Sequence, residues 1–314
     1  MEAHKKRITI VSGCYNEQDN VYELCDRVKK VFDRHPEYDY EQILIDNAST
    51  DRTVDKLREI CKTNKNVKVI VNSRNFGAVR SGAHAFYMAQ GDAVIAMASD
   101  LQDPPEMISD FIKKWEEGYK LVIAIKEKSK ENFLMFALRK IYYKILASVS
   151  ESVDQISNFT GFGLYDKRVM DEIRKMPDPY PYVRGMLSEI GFERYEVPFT
   201  QPERMAGKSS NNFFSLLDFA MLGIVNYTNA PMRVATIIGL GISTVSFLIG
   251  LTYFALKLLN WDSFQLGLAP VLIGLFFFGS VQLLFIGLIG EYIAAILKQV
   301  KSRPLVVEKE RINF

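Results

Sequence analysis

From Arg7 to about Ile125, short β-branched runs alternate with longer stretches in which apolar residues recur every three or four positions. That alternation predicts a mostly parallel sheet covered by helices, an α/β unit. Strands are expected at Ile8 to Ser12, Gln42 to Ile45, Val67 to Val71, Ala93 to Met97 and Leu121 to Ile125, with helices at about Val21 to Asp33, Thr53 to Lys62, Ala78 to Gln90 and Pro105 to Glu117. Asp51 is placed to cap its helix, and Pro104-Pro105 suits a helix start. Two further segments carry helical periodicity. In residues 131–149, Phe133, Phe136, Ala137, Ile141 and Ile145 share a face while Arg139, Lys140 and Lys144 lie elsewhere; Asn212 to Tyr227 repeats the theme with Phe213, Phe214, Leu217, Met221 and Ile224. Such helices lie in a bilayer surface or pack on the sheet, and both readings stay open.

The pattern changes after residue 230. The 23 residues from Val234 to Leu256 and the 28 from Ser263 to Gly290 carry no formal charge. Each exceeds the roughly 20 residues that a bilayer-crossing helix needs. The joining segment Leu258 to Gln265 carries Asp262 and no Lys or Arg, whereas Lys298, Lys301, Arg303, Lys309 and Arg311 follow the second span. By the positive-inside rule the tail lies in the cytosol, and two crossings put the α/β unit on the same side. Trp261 suits an interfacial anchor, and glycines such as Gly239, Gly241, Gly279 and Gly287 permit close helix packing, which hints at a homo-oligomer. The expected division is a cytosolic catalytic unit over residues 1–210, a juxtamembrane helix over 211–230, two spans over 231–298 and a cytosolic tail over 299–314.

Composition narrows the function. Lys plus Arg number 39 against 37 Asp plus Glu, a net charge of +2 that supplies no field for coating nucleic acid. Cys14, Cys25 and Cys61 form neither a disulfide framework nor a zinc spacing, and reduced thiols fit best. His4, His35 and His84 show no ligand spacing and read as surface or packing residues.

Candidate chemistry gathers where strands end. The first expected strand runs into Cys14-Tyr15-Asn16-Glu17 and the second into Asp46-Asn47-Ala48-Ser49-Thr50-Asp51. Caps and turn formers account for either stretch alone, but their recurrence at neighbouring carboxyl ends points to a ligand. The fourth strand runs into Ser99-Asp100-Leu101-Gln102-Asp103-Pro104-Pro105, a carboxylate and an amide oxygen behind an apolar strand. Asp100 is the leading ligand for Mg²⁺ or Mn²⁺, since a bound diphosphate supplies the oxygens that the protein does not; a structural turn with Asp103 as helix cap is the alternative. Arg74-Asn75-Phe76-Gly77 and Arg80 offer donors near phosphates. Neither a P-loop nor GxGxxG stands in place.

YNE at Tyr15 to Glu17, DNAST at Asp46 to Thr50, RNFG at Arg74 to Gly77 and GDAVIAMASDLQDPPE at Gly91 to Glu106 together closely resemble the inverting family 2 glycosyltransferases. With the two C-terminal spans, the chain resembles their polyprenyl-phosphate branch. The resemblance implies a GT-A-like fold. It also implies a nucleotide-sugar donor, a polyprenyl phosphate acceptor and a place in the inner membrane. Asp46 would read the base and Asp100 bind the metal. Cys14, Tyr15, Asn16, Glu17, Asp46, Ala48, Asn75, Ser99 and Asp100 would hold the nucleotide, with Asp100, Gln102 and Arg184 serving catalysis and Arg80, Arg204 and Lys208 gripping phosphate. Charge alone leaves an ordinary solvated loop and a phosphate clamp equally open for the stretch around Arg204 and Lys208; its similarity to the family's active-site loop favours the phosphate role.

Three departures stand out. The family's first carboxylate before DLQDP is Ala98 here, its Asp-Asp-Gly-Ser reads Asp46-Asn47-Ala48-Ser49, and Gly163 stands where relatives often carry arginine. The carrier's phosphate monoester is largely dianionic at neutral pH, its second pKa being about 6, and attacks without a strong base. Single-step inversion from an α-linked UDP-sugar to a β-linked lipid-phosphate sugar follows. A polysaccharide-extending synthase and a catalytically weakened sugar-nucleotide-binding scaffold are the competing readings.

Overall fold

The computed structural model describes residues 5–128, 156, 159–176, 178, 181, 183–202, 230–259, 268–301 and 303–314. Both amphipathic segments expected at 131–149 and 212–227 lie outside these residues, as do Arg204, Lys208 and Trp261. Among the described residues one sheet of eight strands runs in the order β7-β5-β6-β4-β1-β2-β3-β8. Its strands are β1 (Arg7–Cys14), β2 (Asp39–Asp46), β3 (Val67–Asn72), β4 (Ala93–Ala96), β5 (Leu121–Lys128), β6 (Phe159–Asp166), β7 (Arg194–Thr200) and β8 (Glu308–Ile312). The helices are α1 (Val21–Phe32), α2 (Thr53–Thr63), α3 (Ala78–Met88), α4 (Ile108–Glu116), α5 (Lys167–Arg174), α6 (Val183–Ile190), α7 (Ala230–Leu259) and α8 (Leu268–Val300).

Strand alternation builds the two cores. Ile8 and Ile10 of β1, Leu44 of β2, Val67, Val69 and Val71 of β3 and Ile95 of β4 face α1, α2 and α4. Val11, Ile43, Ile45, Ile70 and Val94 face the opposite way, onto α3, α5 and α6. A period of two thus feeds both faces of one sheet, as a doubly covered parallel sheet requires. All five expected strands and all four expected helices are present, with ends shifted by a few residues; a 3₁₀ turn at Pro105–Met107 precedes α4.

Three strands were not expected. β6 runs antiparallel to both β4 and β5, and β8 runs antiparallel to β3, so the sheet is mixed although mostly parallel. The segment read as a tail therefore returns to the sheet as an edge strand. Val69 pairs with Ile312 and Ile70 with Arg311. α7 and α8 are long and apolar enough to cross a membrane, with windows at Ala235–Thr252 and Phe277–Ala294 that bury none of their residues inside the protein.

β1 is the hinge of the topology. It pairs with β2 on one side and β4 on the other, both parallel, so the chain leaves β1 in one direction and returns on its far side. At such a reversal the loops after the two strands splay apart and leave a crevice at the carboxyl ends, where open α/β sheets bind ligands.

Candidate active site

A cavity of about 420 Å³ opens in that crevice. Val11 and Gly13 of β1, Ala96 to Ala98 at the end of β4, Ala78, Val79, Gly82, Ala83 and Phe86 of α3, and Thr160, Gly161 and Tyr165 of β6 form its walls. Asp100, Gln102, Asp103 and Gln201 supply its acidic and amide groups. The volume suits a small-molecule site.

The loop after β4 is tightly built. Ala98 N–H donates to Asp103 Oδ2 at 2.8 Å, Gln102 N–H donates to Asp100 Oδ1 at 3.1 Å, and Ser99 Oγ donates to the Gly13 carbonyl at 2.8 Å. Leu101 stands between the two carboxylates at φ +61°, the left-handed region that a bulky side chain seldom occupies. Such strain clusters at functional sites. Asp100 and Asp103 are both buried. Burial, opposed by the Ala98 N–H and reinforced by the charge of Asp100, pushes the Asp103 carboxyl up to about 7. Its place on the cavity wall was missed in the sequence, where it read as a helix cap. The acid density of DLQDPPE was the available signal.

The loops after β1 and β2 are zipped to each other. Asn16 N–H donates to Ser49 Oγ, and Asn16 Oδ1 accepts from Thr50 N–H at 2.8 Å. Glu17 N–H donates to Thr53 Oγ1 at 2.9 Å; the N-cap of α2 is Arg52 rather than the expected Asp51, which stands one residue earlier and accepts from Thr53 N–H at 2.9 Å. Asp46 is fully buried and accepts from both the N–H and the hydroxyl of Ser49. Burial raises its carboxyl, while the Ser49 and Ala48 donors pull it back. Ala48, at φ +60°, turns the chain between them.

Asn47 joins the second loop to the third. Its Nδ2 donates to Asn75 Oδ1 at 2.9 Å, and its Oδ1 accepts from Phe76 N–H at 2.9 Å and Asn72 Nδ2 at 3.3 Å. Asn75 Oδ1 also accepts from Gly77 N–H at 2.8 Å, where Gly77 takes φ +87° to start α3. Asn75 is thus a loop fastener in this structure.

Several expected residues are placed differently from the sequence reading. The Cys14 side chain points into the core beside α1 rather than into the crevice, and burial pushes its thiol well up; Cys25 is pushed up to about 12 and Cys61 to about 11 by the same cause. These thiols stay protonated. Arg80 Nη2 donates to the Pro304 carbonyl at 2.6 Å and its guanidinium lies 5.4 Å from the Phe76 ring, so it is engaged with the C-terminal segment rather than turned to a phosphate. Tyr15 is exposed at the crevice rim. Arg184 falls in the first turn of α6, beside the cavity-lining Val183. Gly163 pairs with Ala96 and Ile123, and a Cβ there would meet the Val122 carbonyl oxygen at 2.5 Å, so this backbone has no place for the arginine of relatives. His35 bonds Glu37 and Ser109, and His84 bonds Glu308.

The family model for glycosyl transferase family 2 matches residues 9–174. The chain belongs to glycosyl transferase family 2. Relatives of this family member include the uncharacterized glycosyltransferase YkcC of Bacillus subtilis, 34% identical over 95% of this chain and 92% of that one. The SfII prophage-derived bactoprenol glucosyl transferase of Shigella flexneri is 30% identical over 97% of this chain and 98% of its own. In fold the family member is similar to glucosyl-3-phosphoglycerate synthase from Mycobacterium tuberculosis, solved with phosphoglyceric acid, at TM-score 0.50 and 16% identity over 70% of this chain and 78% of that one.

Proposed function

We propose that this glycosyltransferase moves one hexose from a UDP-sugar to polyprenyl phosphate, with inversion, at the cytosolic face of the inner membrane. The observation that carries the reading is the convergence of Asp100, Gln102 and Asp103 on one cavity at the β1/β4 crevice. Full-length likeness to a bactoprenol glucosyl transferase supports the acceptor. The two apolar helices support a membrane setting, and the return of β8 to the sheet supports placing the chain after α8 on the catalytic side.

In the reaction an oxygen of the carrier phosphate forms a bond to the anomeric carbon. The bond from that carbon to the diphosphate oxygen breaks, and its electron pair leaves with the nucleoside diphosphate. Two carboxylates with hard oxygens lining one cavity fit a divalent cation, and Asp100 with Asp103 would hold Mg²⁺ or Mn²⁺, which offsets the charge that develops on the departing diphosphate. Asp46 and the zipped loops around Asn16 and Ser49 form a rigid rim for the nucleotide, so little ordering remains to be done when the donor binds. Gln102, whose Nε2 lies 3.5 Å from the Pro202 carbonyl, ties the acidic loop to the segment after β7 and orients it toward the transferred sugar.

The test incubates the purified protein in detergent with undecaprenyl phosphate and a panel of nucleotide sugars, with mass detection of the lipid. One added hexose is expected. Transfer to free sugars or proteins while the lipid phosphate goes unused would sink the acceptor assignment, and a ladder of products would move the reading to a polysaccharide synthase.

A further inference from the structure

We infer that the C-terminal segment is a short strap that fixes the catalytic cleft at one height and orientation over the bilayer, with His84 and Glu308 as its positioning residues. The inference rests on the membrane reading above.

The strap is short where it leaves the membrane helix. α8 ends at Val300, and Lys301 N–H still bonds the Leu297 carbonyl. Arg80 on α3 already grips the carbonyl of Pro304. Four residue steps of extended chain reach at most roughly 14 Å. Pro304, and with it the Arg80 guanidinium at the end of its side chain, is therefore held within about that distance of the end of α8.

The strap is also pinned where it meets the catalytic unit. Arg80 and His84 stand four residues apart, on one side of α3. His84 Nε2 bonds Glu308 Oε1 at 2.6 Å, and Glu308 is held in turn by both Arg311 Nη2, at 2.9 Å, and Arg311 Nε. Ser73 N–H donates to the Val307 carbonyl at 2.9 Å, Arg58 pairs with Glu310 at 2.7 Å, and Asn313 Nδ2 donates to the carbonyls of Cys61 and Val67 at 2.9 Å each. β8 itself reads Glu-Lys-Glu-Arg-Ile and brings little apolar surface to the core. Polar pins to α2, α3 and β3 add to the backbone ladder with β3 and to the packing of Val306 and Ile312 on the core.

Another face of α3 lines the cavity through Ala78, Gly82 and Ala83. One helix thus carries both the cleft wall and the strap's anchor. An acceptor embedded in a bilayer presents its phosphate at a fixed depth, so a cleft held at a fixed height meets it at a high effective concentration. A loose cleft does not.

The test inserts six Gly/Ser residues between Arg303 and Pro304, which keeps β8 and lengthens the strap, alongside His84→Ala and Glu308→Ala, which cut the pin. Four quantities are read in full-length protein: thermal midpoint, UDP-sugar affinity by calorimetry, turnover of long-chain polyprenyl phosphate in proteoliposomes, and turnover of a water-soluble short-chain polyprenyl phosphate. A fifth is energy transfer from Trp115 to headgroup-labelled lipid in a Trp261→Phe background.

With the insertion, energy transfer falls and the embedded acceptor's KM rises about tenfold as its effective concentration drops. Donor affinity, the midpoint and short-chain kinetics stay at parental values. The two point variants shift the embedded acceptor in the same direction. Equal effects on both acceptors, or energy transfer unchanged by the insertion, would overturn the inference. If the parent uses neither acceptor, the proposed function fails by itself, and energy transfer still decides the strap.

Discussion

Gly163→Ala is the sharpest test of the described backbone, because it adds one carbon where the sheet leaves no room. An ideal Cβ at Gly163 lies 2.5 Å from the Val122 carbonyl oxygen and 3.1 Å from Ile123 Cα, both backbone atoms of β5. Neither atom belongs to a side chain that can rotate away, so β5 must move as a strand. It is hydrogen-bonded to β6 on one side and β7 on the other. Overpacking a well-filled interior costs typically 1–3 kcal/mol, and with two backbone contacts a value near the top, about 3 kcal/mol, is expected. For a domain of this size that corresponds to a fall of roughly 6–12 °C in midpoint. Thermal unfolding of the purified protein in detergent, followed by circular dichroism at one scan rate for parent and variant, measures it. Gly82→Ala is the control: it sits inside α3 with nothing within 4 Å of the added carbon. It should gain up to about 1 kcal/mol from helix propensity. If Gly163→Ala melts within a degree of the parent, the overlap is not a feature of the protein and the exclusion of arginine at this position falls with it.

Ala48→Gly should raise stability by about 0.5–1 kcal/mol, since Ala48 is held at φ +60° where glycine is unstrained; a midpoint at or below the parent's contradicts the turn assignment. Asp100→Asn should cut turnover by about 100-fold or more with the thermal midpoint within two degrees, and full turnover would remove Asp100 from the chemistry. Ala98→Asp places a third carboxylate beside Asp100 and Asp103, so its midpoint should fall in chelator and recover with Mn²⁺; an unchanged midpoint in chelator refutes the crowding. The Glu308 carboxylate is held below its usual value by Arg311 and His84, with burial opposing. A depressed carboxylate stabilises the fold above its unfolded pKa and loses that contribution as pH falls from about 4.5 toward the folded value. Hydrogen exchange of the β8 amides should therefore speed up selectively over that window relative to the β1 amides, and Glu308→Gln should abolish the difference.

The parallel half of the fold was legible because each strand is buried on both faces and each helix on one. β-branched runs and a 3.6-residue period then follow directly from packing. The acidic run was legible for a related reason: carboxylates and amides directly behind Val94 and Ile95 need a reason to be there. What escaped was structure held by backbone pairing and polar side chains. β6 contains Gly161 and Gly163, which weaken a strand pattern. β7 carries Pro198 at the sheet edge, where a missing N–H is tolerated. β8 is four charged residues and an isoleucine; it reads as a solvated tail because its partners, Arg58 and His84, lie more than two hundred residues earlier. Cys14 misled for another reason. A strand end points alternate side chains to opposite faces, and this one points at α1.

Two of the three departures from the family pattern bear on one another. At position 47 the amide does what a carboxylate cannot: Nδ2 donates to Asn75 while Oδ1 accepts from Phe76 and Asn72, so the loops after β2 and β3 are fastened without a charge. At position 98 the backbone N–H is taken up by Asp103, and the side chain is a methyl that adds no charge beside a carboxyl already crowded by Asp100. Relative to the family pattern the crevice has therefore lost two negative charges. Both changes lower the negative charge around a cleft that, on the proposed function, admits a diphosphate and a phosphate together. Position 163 is a separate matter: Gly163 does not line the cavity, and its backbone has no space for a side chain. Inside a partly buried crevice charges are poorly screened, so removing repulsive carboxylates does part of the work of a cation and costs no desolvation of a guanidinium. The changes at 47 and 98 thus act in one direction on the charge of the crevice loops, while Gly163 answers to the packing of β6 against β5.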